Sequence, residues 1–185
     1  AMIQDIFPHV YHNAFQKCEA QPQDMLLAYR GNAVLSAPEE FRLPRCGDLP
    51  DMPVRYAFSI DDTRYFLAEN APEEQTAWRL LPSAEYRYAL PRETAFACAV
   101  GETLHRWYCS NRFCGACGAE MADSATERAL CCPKCGAVVY PRINPAVIVA
   151  VTDGEKLLLT KYAGRAFRRF ALVAGFCEIG ERVED

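Results

Sequence analysis

Short apolar runs separated by turn residues predict β-hairpins in the first seventy residues. Residues 25–36 contain two apolar runs around Gly31-Asn32, a dipeptide suited to the positive φ angles of a tight turn. Residues 55–69 repeat this arrangement around Asp61-Asp62-Thr63. The proline-containing stretch between them, residues 38–53, predicts a loop.

The pattern becomes helical over residues 92–107. Apolar side chains recur there at spacings of four, four and three residues, at Phe96, Val100, Leu104 and Trp107. That spacing places them on one face of a helix, and Pro91 stands where a first-turn proline is tolerated. We expect this face to join the hairpins in the core of a mixed α/β domain.

The last part of the chain returns to strands. Residues 146–162 predict a third hairpin, with its turn at Asp153-Gly154. The chain then ends on a glycine-rich turn followed by Glu181, which is typical of the opening of a helix. We therefore expect the chain to be a truncated piece of a longer protein.

The composition limits the classes of function. The chain has 185 residues, 51% of them hydrophobic, which suits one or two domains. A net charge of −4 argues against a broad nucleic-acid surface but does not exclude a small nucleotide ligand. The longest apolar run, residues 146–151, is far shorter than the roughly 20 residues of a membrane span. The N-terminus lacks a secretory signal, so a cytoplasmic protein is expected.

The distribution of the ten cysteines favours a metal site over disulfides. Two CxxC pairs, Cys114–Cys117 and Cys132–Cys135, stand fourteen residues apart. Each pair can point two thiolates at one ion, and four thiolates give closed tetrahedral zinc coordination. Such a site is structural because it leaves no position for substrate or water. Cys131 makes the register ambiguous, but Cys132 alone completes a CxxC pair.

A second motif follows the third hairpin. Gly175-Phe-Cys-Glu-Ile-Gly-Glu181 fits the opening of the Nudix signature, Gly-x5-Glu, which is weak by itself. The combination is more specific, because four segments occur in one order: Phe113-Cys-Gly-x-Cys-Gly, Cys132-x-x-Cys135, Tyr140-Pro-Arg-Ile-Asn-Pro and Ala174-Gly-Phe-Cys-Glu-Ile-Gly-Glu181. Over residues 107–181 the chain resembles the NADH pyrophosphatase family of the Nudix hydrolase superfamily.

The resemblance implies an α+β fold with three parts. These are an N-terminal Nudix-like mixed α/β domain at 1–107, a four-cysteine zinc ribbon at 108–140, and the first strands of a C-terminal Nudix hydrolase domain at 141–185. It also implies hydrolysis of NAD(H) to nicotinamide mononucleotide and AMP, removal of NAD caps from RNA, catalytic Mg²⁺ or Mn²⁺, and a homodimer.

Individual residues resemble functional positions of the family. Ala174 is similar to the residue whose backbone carbonyl binds the catalytic Mg²⁺ or Mn²⁺, and Phe176 to the aromatic that stacks on the substrate base. Glu181 resembles the first signature glutamate, which orients the catalytic helix. Positions similar to substrate contacts are Glu127, Tyr140 and Arg87. A core role for Phe176 and a solvated surface charge at Glu127 stay open.

The family's Arg-Glu-x-x-Glu-Glu helix does not occur in the sequence. We therefore expect this chain to be inactive towards NADH. The alternative function is a zinc-ribbon binding module for nucleic acid or protein without catalysis. That module would use a local basic face formed by Arg106, Arg112, Arg128, Lys134 and Arg142.

Overall fold

The computed structural model describes residues 3–37, 39–71, 77–86, 88, 91–164 and 168–182. The chain forms two compact units, Ala1–Pro141 and Arg142–Asp185. The predicted boundary between residues 107 and 108 lies inside the first unit and stays a prediction. No helix in the described ranges has both the length and the apolar character needed to cross a membrane.

The elements are short strands and few helices. In chain order they are β1 (Tyr11–His12), β2 (Met25–Leu27), β3 (Tyr29–Arg30), β4 (Ala33–Ser36), a 3-10 helix (Cys46–Asp48), β5 (Val54–Ile60), β6 (Thr63–Ala68), β7 (Arg79–Pro82), α1 (Ser83–Tyr86), α2 (Arg92–Ser110), β8 (Ala122–Asp123), β9 (Leu130–Cys131), β10 (Val138–Val139), β11 (Ala146–Val149), β12 (Thr152–Asp153), β13 (Lys156–Leu157) and β14 (Val173–Phe176).

Two sheets form the N-terminal part of the first unit. One has the strand order β1-β5-β6-β2, and the other has the order β3-β4-β7. The predicted hairpin at 55–69 is confirmed by the antiparallel pairing of β5 with β6.

The prediction of a single hairpin over residues 25–36 is wrong in its first half. Only β3 and β4 pair across Gly31, whereas β2 runs parallel to β6 in the other sheet. Leu26 and Leu27 are both fully buried, and they belong to two different apolar clusters. A strand buried on both faces reads as a continuous apolar run, which explains why its sequence resembled a hairpin arm.

The predicted helix is confirmed as α2, which continues three residues past Trp107. Its buried face includes Leu104, and its middle carries Gly101 close to the sheet. A Cβ atom at Gly101 would lie 2.6 Å from Tyr29 Oη and 2.7 Å from Leu27 Cδ1. The absence of a side chain at Gly101 therefore allows α2 to pack tightly on β2 and β3.

The predicted loop at 38–53 contains the 3-10 helix and lies beside a buried ion pair. The Asp24 carboxylate is 5% exposed and accepts hydrogen bonds from Arg64 Nη2 at 2.6 Å and Arg64 Nε at 3.0 Å. It also accepts the Gln21 N–H at 2.6 Å. This bidentate pair connects the chain before β2 to the start of β6.

The second unit consists of two strand pairs, and the predicted hairpin at 146–162 is only partly correct. β12 and β13 pair around Gly154, as the sequence predicts. β11 pairs instead with β14 in antiparallel register, and Thr160 forms a bridge with Ala171. The segment after residue 170 thus supplies the backbone hydrogen-bond partners that the two arms of a simple hairpin would have supplied to each other.

Candidate functional site

Two similar turns present the four cysteines of the CxxC pairs. In the first, the Cys114 N–H donates to Ala119 O and the Gly118 N–H donates to Cys114 O, both at 2.8 Å. The second repeats the pattern, with Cys132 donating to Ala137 O at 2.8 Å and the Gly136 N–H donating to Cys132 O at 3.0 Å. Gly118 and Gly136 have φ angles of +71° and +75°, a conformation that side chains disfavour.

The four Sγ atoms lie within 4.8 Å of one another. The separations Cys114–Cys135 and Cys117–Cys132 are both 3.5 Å. Zn–S bonds of about 2.3 Å in a tetrahedron give sulfur separations of about 3.8 Å, so the donor set fits Zn²⁺. Cys132 belongs to this cluster, whereas Cys131 lies in β9.

The backbone prepares two of these sulfurs for metal binding. The N–H groups of Ala116 and Cys117 lower the pKa of the Cys114 thiol. The Cys135 N–H and, to a smaller extent, the Lys134 N–H lower the pKa of Cys132 to about 6. Because thiolate is the form that binds zinc, these hydrogen bonds favour the ligating state.

The ribbon sheet, with order β10-β9-β8, brings together two of the predicted substrate residues. A loop at 124–129 joins β8 to β9, and Tyr140 directly follows β10. The Tyr140 hydroxyl donates to Glu127 Oε1 at 2.9 Å, although the residues are thirteen positions apart. This hydrogen bond, together with the carboxylate charge, raises the pKa of Tyr140. Glu127 is therefore more than an isolated surface charge.

Both ends of this loop contact the N-terminal strands. At the start, Asp123 Oδ2 lies 3.1 Å from Arg55 Nη2. At the end, Arg128 Nη1 donates to Asn13 Oδ1 at 2.6 Å, and Arg128 Nη2 donates to the Ala57 carbonyl. The Arg55 guanidinium also lies over the Tyr108 ring, 4.1 Å from its centroid.

Three residues of the basic face of the alternative function contact other groups of the protein. Arg106 pairs with Glu102 one helical turn away, and Arg112 lies 3.6 Å from Glu120. Arg128 is directed to the N-terminal strands by the contacts just described. Three of the five cations thus have protein partners, which weakens the case for a nucleic-acid module.

The second unit carries three further predicted site residues. Ala174 lies in β14 opposite Ile148, and Phe176 ends the same strand with 74% of its surface exposed. Phe176 is therefore not part of a hydrophobic core in this unit. The Glu181 carboxylate accepts the Glu178 N–H at 2.7 Å and closes the turn that contains Gly180. Arg87 lies outside the described residues.

The ribbon matches a known protein family. Residues 110–140 match the family model described as the NADH pyrophosphatase zinc ribbon domain. The NAD-capped RNA hydrolase NudC of Chromobacterium violaceum is 36% identical over 128 residues, which cover 68% of this chain and 48% of that protein. The chain belongs to the NADH pyrophosphatase family of the Nudix hydrolases.

Two further members of this family show shorter matches. The NudC of Stutzerimonas stutzeri is 46% identical over 78 residues, covering 42% of the chain and 28% of that protein. The NudC of Pectobacterium carotovorum is 43% identical over 84 residues, covering 45% of the chain and 32% of that protein. The chain thus spans about half the length of the first NADH pyrophosphatase relative and about a third of these two.

Sequence reasoning did not find the contacts of Arg128. From the sequence this arginine was assigned to the basic face of the alternative function. No local pattern contains these contacts, because the acceptors lie 115 and 71 residues away in the sequence.

Proposed function

We propose that the protein hydrolyses the pyrophosphate linkage of NAD(H), or of an RNA capped with NAD, and that its zinc ribbon presents Glu127 and Tyr140 to the substrate. The observation that carries this proposal is the 2.9 Å hydrogen bond between these two residues on a ribbon of the NADH pyrophosphatase type. The NudC relatives, which are named NAD-capped RNA hydrolases, agree with it.

The chemistry of Glu127 suits a nucleoside. An ionised carboxylate only accepts hydrogen bonds, and Tyr140 occupies one site on Oε1. The remaining acceptor positions fit donors such as ribose hydroxyls or the carboxamide NH₂ of nicotinamide. Tyr140 thereby fixes the orientation of the carboxylate and leaves its ring, half of it exposed, beside the donor-binding oxygen.

Phe176 supplies a second type of contact. It is an exposed aromatic ring at the end of a paired strand, where the backbone hydrogen bond from Cys177 N to Pro145 O at 2.9 Å holds the chain. An aromatic ring offers a stacking surface to a nucleobase, and such stacking is worth about 1–3 kcal/mol per base. We propose this stacking role for Phe176.

Structural Zn²⁺ and catalytic Mg²⁺ or Mn²⁺ would have different roles in this protein. Zinc would be held by the four cysteines and would supply folding energy rather than chemistry, because the site is closed. In the described part of the chain, these cysteines form the only group of three or more metal-binding side chains. Among the residues that the structure describes, those around Ala174 and Glu181 do not form a complete site for Mg²⁺ or Mn²⁺.

The proposal is tested with the product of the complete gene, by following AMP release from NADH in the presence of Mg²⁺ or Mn²⁺. Glu127→Gln is expected to raise KM about tenfold with little change in kcat, because it removes a charged acceptor that binds substrate and transition state alike. Glu120→Gln is the matched control, since Glu120 is an exposed ribbon carboxylate paired with Arg112.

The proposal is wrong if the complete protein releases no AMP from NADH or from NAD-capped RNA. The role of Glu127 is wrong if the Glu127→Gln and Glu120→Gln variants share the wild-type KM. The inactivity of the 185-residue chain, the homodimer, the cytoplasmic location and the catalytic Mg²⁺ or Mn²⁺ remain predictions, and the first of them is checked by running the chain in the same assay.

A further inference from the structure

The loop at 124–129 has little internal structure to fix it. Its hydrogen bonds are local: Ser124 N to Ala129 O at 2.9 Å, Ala129 N to Glu127 O at 2.9 Å, and Thr126 N to Ser124 Oγ at 3.3 Å. Thr126 and Glu127 are both exposed. A loop of this kind needs anchors outside itself if a side chain on it is to hold one position.

Arg128 provides such an anchor next to Glu127. Its guanidinium is half-buried and donates to two acceptors in the N-terminal part of the unit, Asn13 Oδ1 at 2.6 Å and the Ala57 carbonyl in β5. These acceptors lie 115 and 71 residues away in sequence, so they are tertiary contacts. A guanidinium is suited to this task because its planar donors reach two acceptors at once.

The consecutive residues Glu127 and Arg128 contact different parts of the protein. Arg128 is directed to the N-terminal strands, whereas Glu127 meets Tyr140 on the ribbon. The hydrogen bond from the Ala129 N–H to Glu127 O keeps this end of the loop in its local turn, and the contacts of Arg128 tie that turn to the N-terminal strands. If Arg128 loses its acceptors, this tie is lost. The contact between Asp123 and Arg55 would then anchor only the start of the loop.

We infer that Arg128 is a positioning residue that ties the Glu127 loop to the N-terminal strands and so holds Glu127 against Tyr140. Its importance for substrate rests on the proposed function, but the coupling itself does not. The N-terminal strands thereby take part in forming the proposed substrate surface of the ribbon.

The experiment measures the ionisation of Tyr140 in the 185-residue chain by NMR of isotope-labelled tyrosine rings, with Tyr140→Phe used to assign the signal. In the wild type the pKa of Tyr140 lies above its ordinary value of 10.0, because Glu127 accepts its proton in a hydrogen bond. Two mild variants, Arg128→Lys and Asn13→Ala, weaken the anchor. Both are expected to shift the Tyr140 pKa towards 10.0.

Arg112→Ala is the matched control, because the ion pair of Arg112 is with Glu120 of the ribbon. It should leave Tyr140 unchanged. Zinc content is measured in every variant, so that each comparison is made between folded ribbons. A wild-type Tyr140 pKa in both Arg128→Lys and Asn13→Ala would overturn the inference. No NADH is present, so failure of the proposed function leaves this result unaffected.

Discussion

Replacing Cys132 by serine is expected to lower the zinc content from one ion per chain to well below that and to unfold the ribbon. Serine removes one of four thiolates from a cluster whose sulfurs lie within 4.8 Å. In small zinc modules the metal supplies about 10–16 kcal/mol of apparent binding free energy, and this energy is also folding energy. Metal analysis and protease sensitivity of residues 110–140 measure the two effects.

Cys131→Ser is the matched control, because Cys131 is the adjacent residue but lies in β9 outside the cluster. It should retain the zinc. The N-terminal sheets and α2 have apolar clusters of their own, so the helical circular dichroism signal should survive in both variants. Full zinc content in Cys132→Ser, or its loss in Cys131→Ser, would show that the ligands are assigned wrongly.

Asp24→Ala is expected to lower the free energy of unfolding of the first unit by about 3 kcal/mol. Removing one partner of a buried ion pair leaves the other charge without compensation, which typically costs 3–5 kcal/mol. The lower part of that range applies because the Arg64 side chain is 29% exposed and retains access to water. The variant also removes the acceptor of the Gln21 N–H.

Urea unfolding followed by fluorescence of the tryptophans measures this effect. Glu120→Ala is the comparison, because it breaks the exposed ion pair with Arg112, and exposed pairs contribute about 0–1 kcal/mol. Equal losses of stability in the two variants would mean that the Asp24–Arg64 pair does not act as a buried one.

The elements that sequence predicted well are those fixed by local chemistry. The periodicity of Phe96 to Trp107 is sufficient for α2, and the CxxC spacing brings four sulfurs together because each turn needs only its own glycine and backbone donors. The turn at Gly31 and the β5–β6 hairpin follow in the same way from residues close in sequence.

The features that sequence did not predict depend on distant partners. Met25–Leu27 has an apolar pattern that fits either a hairpin arm or a strand buried on both faces, and only its pairing with β6 decides. β11 pairs with β14 because the segment after residue 170 returns to it. The partner of Arg128 lies 115 residues away, and no local pattern contains that information.

The candidate site also combines features that the sequence predicted with features that depend on distant pairing. The resemblance placed Glu127 and Tyr140 among the substrate contacts, but their mutual hydrogen bond arises from the β9–β10 register, which sets Val139 opposite Leu130. The ribbon is therefore more than a zinc-stabilised spacer, because its sheet brings the carboxylate and the phenol together.

Titration of the isotope-labelled 185-residue chain with NADH, observed at the Tyr140 ring, tests most directly whether the ribbon contacts substrate. The proposed function predicts a saturable shift of the Tyr140 signal in the wild type and a much weaker response in Glu127→Gln, with Glu120→Gln behaving as the wild type. A Tyr140 signal that stays unchanged in the wild type up to millimolar NADH would contradict the assignment of the Glu127–Tyr140 pair to the substrate site.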